Sequence, residues 1–293
     1  MSHVAHVDGS LVPIDEATVP VTDRGFLYGD GVFETIRCYN GELFEWDRHR
    51  SRLVQSCEHI GIDYDIRTLG VRRRVEETLE ANELSDAYVR LSLTRGSQPG
   101  RLTPDTTVDP TVVVLVEPLP RGGIDGSPVW EGPATCVISS VERIANAAIP
   151  AAAKTHNYLN GILARLDARE ADADEAVLLD ADGRVTEGAT SNVFFVADGG
   201  LCTPTTRHHP VLPGITRAVV LELAEALDMP VQEATWTADD LRSAEEVFLT
   251  NSTWEIRPVS QIDGTRFETG PITQQLRDRF LARVENTCYE SSK

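Results

Sequence analysis

Lysine is almost absent from this chain of 293 residues. Only Lys154 and Lys293 occur, and Lys293 is the last residue, so every other basic residue is an arginine. Arginine stays protonated in proteins, whereas a desolvated lysine can lose its proton and attack a carbonyl carbon. Lys154 is therefore a candidate Schiff-base lysine. The alternative at this point is an ordinary surface lysine.

Positive charge is scarce as a whole. The net charge is −19 and the isoelectric point is near 4.7, which excludes nucleic acids and anionic membranes as favoured partners. The acidic residues are spread along the chain rather than gathered in a tail, and the hydrophobic content of 41% is typical of a globular protein. Scattered acid with almost no lysine leads us to the hypothesis of a halophilic source.

Long apolar runs and a signal peptide are also missing, which predicts a soluble, cytoplasmic protein without a membrane partner. The five cysteines are odd in number, irregularly spaced and free of Cys-x-x-Cys pairs. They predict buried thiols rather than a disulfide framework, and we expect no metal site.

Strand and helix patterns alternate in mixed order and predict an α+β protein with two domains. The clearest strand is Ala87–Thr94, and a single helix is predicted over residues 66–81. Residues 118–128 are dense in proline and glycine and are predicted to be an interdomain linker. The division is therefore a small N-terminal domain over residues 1–117 and a larger, cofactor-binding domain over residues 129–293.

Three segments could bind an anion. The segment 213–217 opens a helix with Gly214, Ile215 and Thr216, where free backbone N–H groups can face an anion, although an ordinary capped helix start has the same pattern. Ser252 and Thr253 follow a strand and could add hydroxyls, or form a simple turn. Arg52 could reach the same anion with its fork of N–H groups, or lie in solvent.

Glu187 follows a strand and precedes a glycine, so its carboxylate is predicted to lie beside a loop. One lysine, one anion-binding cup with an arginine, and one carboxylate are the three contacts that pyridoxal 5'-phosphate requires. The lysine carries the Schiff base, the cup holds the phosphate, and the carboxylate pairs with the ring nitrogen.

Six segments in a fixed order carry a family resemblance. They begin at Asp23–Arg37 and continue with His49-x-x-Arg52-Leu53 and Lys154-x-x-Asn157-Tyr158. The other three are residues 185–192, residues 212–217 and residues 255–259. Along nearly its whole length, the chain resembles the fold-type IV pyridoxal-phosphate enzymes, or class IV aminotransferases. The resemblance implies a smaller N-terminal α/β domain and a larger C-terminal domain with a β-barrel-like core.

The resemblance also implies roles for individual residues. Lys154 would be the catalytic lysine, and Tyr158 would support the phenolic side of the cofactor ring. The remaining cofactor contacts would be Arg52, Glu187, Ile215, Thr216, Ser252 and Thr253. The substrate contacts would be Tyr28, Phe33, Arg37, Tyr88 and Arg90. The substrates implied are an amino acid or amine and a 2-oxo acid, and the family habit implies a homodimer.

Two motifs bear on the subfamily. Tyr88-Val89-Arg90 resembles the Tyr-x-Arg motif of branched-chain aminotransferases. Asn251 in Asn251-Ser252-Thr253, together with the short spacing from Lys154 to Asn157-Tyr158, resembles the pattern of 4-amino-4-deoxychorismate lyases. D-amino-acid transaminases carry an Arg-x-His pair that Arg101-Leu102-Thr103 does not reproduce. The favoured function is therefore a branched-chain aminotransferase, followed by the lyase, the D-amino-acid enzyme and a non-catalytic binding scaffold.

The halophilic hypothesis predicts that the protein unfolds when it is transferred to low salt. Repulsion within a surface of net charge −19 is screened over about 10 Å at 0.1 M salt and about 30 Å at 0.01 M. Circular dichroism during dialysis against decreasing KCl measures the transition. Full retention of the folded spectrum at low salt would contradict the hypothesis.

Overall fold

The computed structural model describes residues 3–98, 100–105, 109–121 and 129–290. The chain divides into two compact units. The first contains the described residues up to 121 together with residues 153–157 and 288–290, and the second contains residues 129–152 and Tyr158–Thr287. The segment around Lys154 thus belongs with the first unit, whereas the division drawn from sequence assigns it to the second domain. Most of the predicted linker lies outside the described residues.

The described residues of the first unit form one sheet and three α-helices. Its strands are β1 (Val4–Val7), β2 (Ser10–Pro13), β3 (Gly31–Tyr39), β4 (Glu42–Leu43), β5 (Ala87–Thr94) and β6 (Val112–Pro118). Its helices are α1 (Arg24–Tyr28), α2 (Trp46–His59) and α3 (Val71–Ala81), with a 3-10 turn at Ile66–Leu69. The strands pair antiparallel in the order β2-β1-β6-β5-β3-β4.

One face of this sheet forms the core of the first unit. Along β5, Val89 and Leu91 are buried while Tyr88 and Arg90 are half-buried, as the alternating sequence predicts. Leu53 of α2 and Val75 of α3 pack into the same buried cluster. Each fully buried side chain of this kind contributes about 1.5–3 kcal/mol. The opposite face is left for the polar and aromatic residues of β3 and β5.

The prediction of a single helix over residues 66–81 is wrong in one respect, because the helix is interrupted at Gly70. This glycine has φ of 57°, in the left-handed region, and separates the 3-10 turn from α3. Most other residues would lose about 1–2 kcal/mol in that conformation.

The part of the second unit that the structure describes contains ten strands. They are β7 (Ala134–Ile138), β8 (Glu175–Leu179), β9 (Arg184–Gly188), β10 (Asn192–Ala197), β11 (Gly200–Pro204), β12 (Val231–Ala234), β13 (Trp236–Thr237), β14 (Glu246–Asn251), β15 (Glu255–Ile262) and β16 (Thr265–Arg266). The sheet order is β12-β11-β10-β14-β15-β7-β8-β9-β13, with β16 added beside β15. The two end strands are separated in sequence only by Thr235, so the sheet must curl. This confirms the predicted α+β fold with a barrel-like core.

Four helices accompany this sheet: α4 (Leu159–Glu170), α5 (Ile215–Ala226), α6 (Ala238–Arg242) and α7 (Pro271–Val284); a π-helical turn follows at Glu285–Tyr289. Helix α4 buries only its small residues Ala164 and Ala168. Its large apolar side chains are exposed instead, at Leu159, Ile162, Leu163 and Leu166.

All five cysteines are buried and free, which confirms the prediction of buried thiols. Burial raises the pKa of Cys38 and of Cys57 to about 12, so these thiols stay protonated and unreactive at neutral pH. Within the described residues, no helix is both long enough and apolar enough to cross a membrane.

Candidate active site

Lys154 lies on a short segment that pairs with the beginning of β3. The N–H of Phe33 donates to the Lys154 carbonyl at 2.9 Å, and the N–H of His156 donates to the Gly31 carbonyl at 2.8 Å. An antiparallel bridge joins Val32 and Thr155 between these bonds. The backbone on both sides of Lys154 is therefore fixed against one strand.

Helix α2 holds the same segment from another direction. The N–H of Lys154 donates to Ser56 Oγ at 3.0 Å, and Ser56 is fully buried. Because the hydroxyl is withdrawn from water, no solvent competes for this bond.

The Lys154 side chain extends over an aromatic ring. Its Nζ lies 4.4 Å from the centre of the Phe33 ring, and the Arg90 guanidinium carbon lies 3.9 Å from the same centre. Both distances fall within the range of a favourable cation–π contact. The structure thus brings the predicted catalytic lysine together with two predicted substrate residues.

Four of the five predicted substrate residues share one face of the first sheet. Phe33 and Arg37 alternate along β3, and Tyr88 and Arg90 alternate along β5, on the side opposite the core. Arg37 lies directly across from Tyr88 in the strand register. The fifth residue, Tyr28, is not on these strands but ends α1, where it is 37% exposed.

Arg37 is a buried cation with little compensation. Its Nη2 donates to the Pro120 carbonyl at 3.1 Å, and its guanidinium carbon lies 5.0 Å from the centre of the Tyr39 ring. Its Nε and Nη1 have no hydrogen-bond partner among the described residues. Burial of an unpaired charge is costly, so an anion that accepts from these groups would be strongly favoured.

Arg52 is held by a buried ionic cluster. Its Nε and Nη2 donate to the two oxygens of Glu34 at 2.9 and 2.6 Å, and His49 Nδ1 lies 2.7 Å from the same carboxylate. Burial alone would raise the pKa of Glu34, but the charge and hydrogen bonds of Arg52, with those of His49, hold it at about 2. The carboxylate therefore stays ionised and fixes one edge of the guanidinium.

His156 is a neutral neighbour of this site. Burial, aided by the positive charge of Arg90, lowers the pKa of His156 to about 4. Its ring lies against Gly31, where a Cβ would approach Nδ1 to 2.9 Å, and 5.9 Å from the Phe33 ring centre. A side chain at position 31 would displace this ring.

In the second unit, Glu187 lies within β9 and is only 8% exposed, so the prediction that it follows the strand and lies beside a loop is wrong. Its Oε1 accepts from Arg143 Nε at 2.7 Å, and its Oε2 accepts from the Leu212 N–H at 2.8 Å. A carboxylate has about four acceptor positions, so Glu187 retains capacity for a ring N–H donor. Tyr158 is the half-buried N-terminal cap residue of α4.

Helix α5 begins with backbone N–H groups that no side chain caps. Gly214 is its cap residue, followed by the buried Ile215 and Thr216. A Cβ at Gly214 would collide with the Asn192 side chain, so this position requires glycine. Uncapped N–H groups and the helix dipole favour a bound anion.

The turn after β14 is organised by Asn251. Its Oδ1 accepts from the Thr253 N–H and hydroxyl, both at 3.0 Å, and from the Trp254 N–H at 2.6 Å. Ser252 lies at the second position of the turn. Asn251 thus builds the loop that carries the two predicted hydroxyls, in the manner of an Asx turn.

The donor set fits pyridoxal phosphate. An amine suits its aldehyde, a fixed guanidinium and an uncapped helix start suit its phosphate, and a buried carboxylate suits its ring nitrogen. Near α5, the Thr250 hydroxyl, opposite Asn192 across the strands, is buried with no partner among the described residues. Sequence reasoning missed three supporting residues, namely Glu34, Ser56 and Arg143. The helical spacing of His49, Arg52 and Ser56 is the signal that could have indicated one of them.

Comparison with known proteins identifies the family. Residues 31–262 match the model of amino-transferase class IV. The chain is 39% identical over 279 residues to a proposed branched-chain-amino-acid aminotransferase of Methanocaldococcus jannaschii, covering 94% of each chain. It is 34% identical to a D-alanine aminotransferase of Listeria monocytogenes, covering 97% of each.

A solved structure gives the same result. The branched-chain aminotransferase of Thermoproteus uzoniensis, determined with norvaline, superposes with a TM-score of 0.88 at 32% identity, over 99% of this chain and 97% of that one. From the family match, the sequence identities and the common fold, this chain belongs to the class IV aminotransferases, the pyridoxal-phosphate-dependent transaminases that transfer an amino group between an amino acid and a 2-oxo acid.

Proposed function

We propose that the amino donor of this transaminase is an α-amino acid with a branched apolar side chain. The observation that carries the proposal is the face of the first sheet where Lys154 Nζ and the Arg90 guanidinium lie over the Phe33 ring, with Arg37 farther along β3 on the same face. A carboxylate-bearing substrate matches the two cations, and the Phe33 ring supplies an apolar surface. The branched-chain relative and the Tyr88-Val89-Arg90 motif support the same donor class.

Arg37 is the residue best suited to hold the substrate carboxylate. Its buried Nε and Nη1 have no partner among the described residues, so a carboxylate would remove an uncompensated charge. A hydrogen bond between charged partners is worth about 1.5–3 kcal/mol. This supports an amino acid over a simple amine as the preferred donor.

The chemistry assigned to the protein follows from its own groups. Bound pyridoxal phosphate supplies an aldehyde for the amino group and a ring that withdraws electrons. Lys154 Nζ would bind that aldehyde and would move the proton at the substrate α-carbon. By the family resemblance, Arg52, the start of α5 and the hydroxyls of Ser252 and Thr253 would hold the phosphate. Glu187 would pair with the ring nitrogen, and Tyr158 would support the ring.

The lyase stays an alternative. The 4-amino-4-deoxychorismate lyase of Pseudomonas aeruginosa shares the fold of this chain, with a TM-score of 0.80 at 29% identity. Asn251 itself forms a turn through three hydrogen bonds. A D-amino-acid donor is a further candidate, since a D-alanine aminotransferase is 34% identical.

Spectroscopy of the purified protein tests the donor. Addition of L-leucine without an acceptor should bleach the absorbance band of the bound cofactor, and a 2-oxo acid should restore it. D-alanine and an (R)-amine should bleach the band more slowly. Bleaching by D-alanine alone would support the D-amino-acid enzyme, no bleaching by any donor would support the lyase, and protein without a cofactor band would support a binding scaffold.

Substitution of the lysine tests its assigned role. Lys154→Ala should remove the cofactor band and reduce turnover by several orders of magnitude, because no amine remains to bind the aldehyde. Lys154→Arg should fail equally, since a guanidinium does not lose its proton. Stopped-flow absorbance and product assays measure both. If Lys154→Ala kept the band and the turnover, the role would belong to another residue.

We also propose a homodimer formed through α4. Leu159, Ile162 and Leu163 are 66, 54 and 43% exposed, and they form a contiguous apolar stripe with Leu166. Such a stripe on a helix is typical of a protein interface. The resemblance of the chain to homodimeric enzymes makes a second copy the expected partner.

The dimer proposal predicts a mass of twice 32.2 kDa in light scattering. Ile162→Glu should shift this mass to that of one chain, because it places a charge in an apolar interface. Val21→Glu is the matched control, since Val21 is 74% exposed in the first unit and lies outside α4. A wild-type monomer, or an unchanged mass for Ile162→Glu, would contradict the proposal.

A further inference from the structure

We propose that Glu34 and Ser56 are positioning residues of the cofactor site, which fix its phosphate-binding arginine and its lysine against one face of α2. Glu34 acts on the Arg52 guanidinium, and Ser56 acts on the backbone of Lys154. The inference rests on the proposed roles of Arg52 and Lys154 and adds the two residues that hold them, Glu34 and Ser56.

Glu34 holds Arg52 by geometry that leaves little freedom. The two parallel bonds of 2.9 and 2.6 Å occupy the edge of the guanidinium formed by Nε and Nη2. A planar group held along one edge has its other edge directed away from the partner. Glu34 is fully buried, so solvent does not compete for these bonds. The carboxylate therefore determines where the remaining N–H groups of Arg52 point.

His49 supports this arrangement from the same helix. Its Nδ1 lies 2.7 Å from Glu34 Oε2, and its ring is buried. Burial lowers the pKa of His49, opposed by the neighbouring carboxylate, which makes the neutral ring with a proton on Nδ1 the relevant donor. The Glu34 carboxylate thus accepts hydrogen bonds from two residues one turn apart on α2.

Ser56 acts at the other end of the same helical face. His49, Arg52 and Ser56 follow one another at spacings of three and four residues, which places them on one side of α2. Arg52 and Ser56 are separated by about 6 Å along the helix axis. Since Ser56 Oγ accepts from the Lys154 N–H, the helix sets the separation between the phosphate-binding guanidinium and the lysine backbone.

A purely structural role would not require the charged pair of Glu34 and Arg52. When apolar side chains of similar volume replace a buried ion pair, the protein is often as stable or more stable. The bonds of Glu34 are instead directed to Arg52 and His49, on the helix that also holds the lysine segment. The buried cluster of Glu34, Arg52 and His49 therefore fixes the orientation of Arg52 at a cost in stability.

The test for Glu34 compares two ligands on the full-length apo protein. Glu34→Gln should weaken the binding of pyridoxal 5'-phosphate by about 10- to 100-fold, because Arg52 loses its ionic partner. Binding of pyridoxal, which has no phosphate, should change little. Fluorescence titration gives both dissociation constants, and their ratio isolates the phosphate contribution.

Two further variants keep this test decisive. Glu246→Gln is the matched control, because Glu246 is also a buried carboxylate but holds the N–H groups of Ile272 and Thr273 at the start of α7. It should lower stability without changing the ratio of the two dissociation constants. Glu34→Asp keeps the charge but shortens the side chain, so its ratio should fall between those of wild type and Glu34→Gln.

Ser56→Ala tests the contact between Ser56 and the Lys154 backbone, and it removes only one oxygen atom. The phosphate contribution should stay at the wild-type value, whereas the midpoint of the cofactor absorbance band in a pH titration should shift, because the backbone of Lys154 loses its acceptor. An unchanged midpoint would overturn the role of Ser56.

The outcomes separate this inference from the proposed function. If wild-type protein bound pyridoxal phosphate no more tightly than pyridoxal and formed no cofactor band, the proposed roles of Arg52 and Lys154 would fail. If wild type behaved as proposed but Glu34→Gln kept the full phosphate contribution, only the role of Glu34 would fail. Equal weakening of both ligands would likewise assign Glu34 a general structural role.

Discussion

The backbone pairing between residues 153–157 and the beginning of β3 is the constraint on which the site in the first unit depends. Two hydrogen bonds of 2.9 and 2.8 Å enclose the bridge from Val32 to Thr155 and carry the only interior lysine to this strand. The contact of Lys154 with Phe33 and its bond to Ser56 both follow from this pairing. The close approach also leaves no room for a Cβ at Gly31, where the Leu93 carbonyl and the His156 ring already lie.

Local patterns predicted the elements that bury one face. Strand β5 has the predicted bounds because its alternation matches a half-buried strand. The patterns failed where tertiary structure decides. Gly70 breaks a helix that periodicity continues, and the short strands β12 and β13 exist only because the curled sheet provides partners at its two ends.

For the site too, sequence patterns indicated some residues and missed others. Ordered motifs pointed to Lys154, Arg52 and Glu187, since such residues recur at recognisable positions within a family. The residues that hold them are 98, 18 and 44 positions away, at Ser56, Glu34 and Arg143. No local pattern encodes contacts over those distances. Tyr28 shows the opposite case, because it matches a motif and yet lies on α1 rather than on the strands that carry its proposed companions.

Arginine and lysine have different roles in this chain. Arg24, Arg52 and Arg95 are each less than 10% exposed, and their planar forks bind carboxylates or backbone carbonyls. A guanidinium could also lie over the Phe33 ring, as that of Arg90 does, but it would keep its proton there. The role proposed for position 154 requires a cation that can become a nucleophile and then carry a proton, and only an amine meets both conditions. The one interior lysine is therefore the residue whose proposed chemistry arginine does not reproduce.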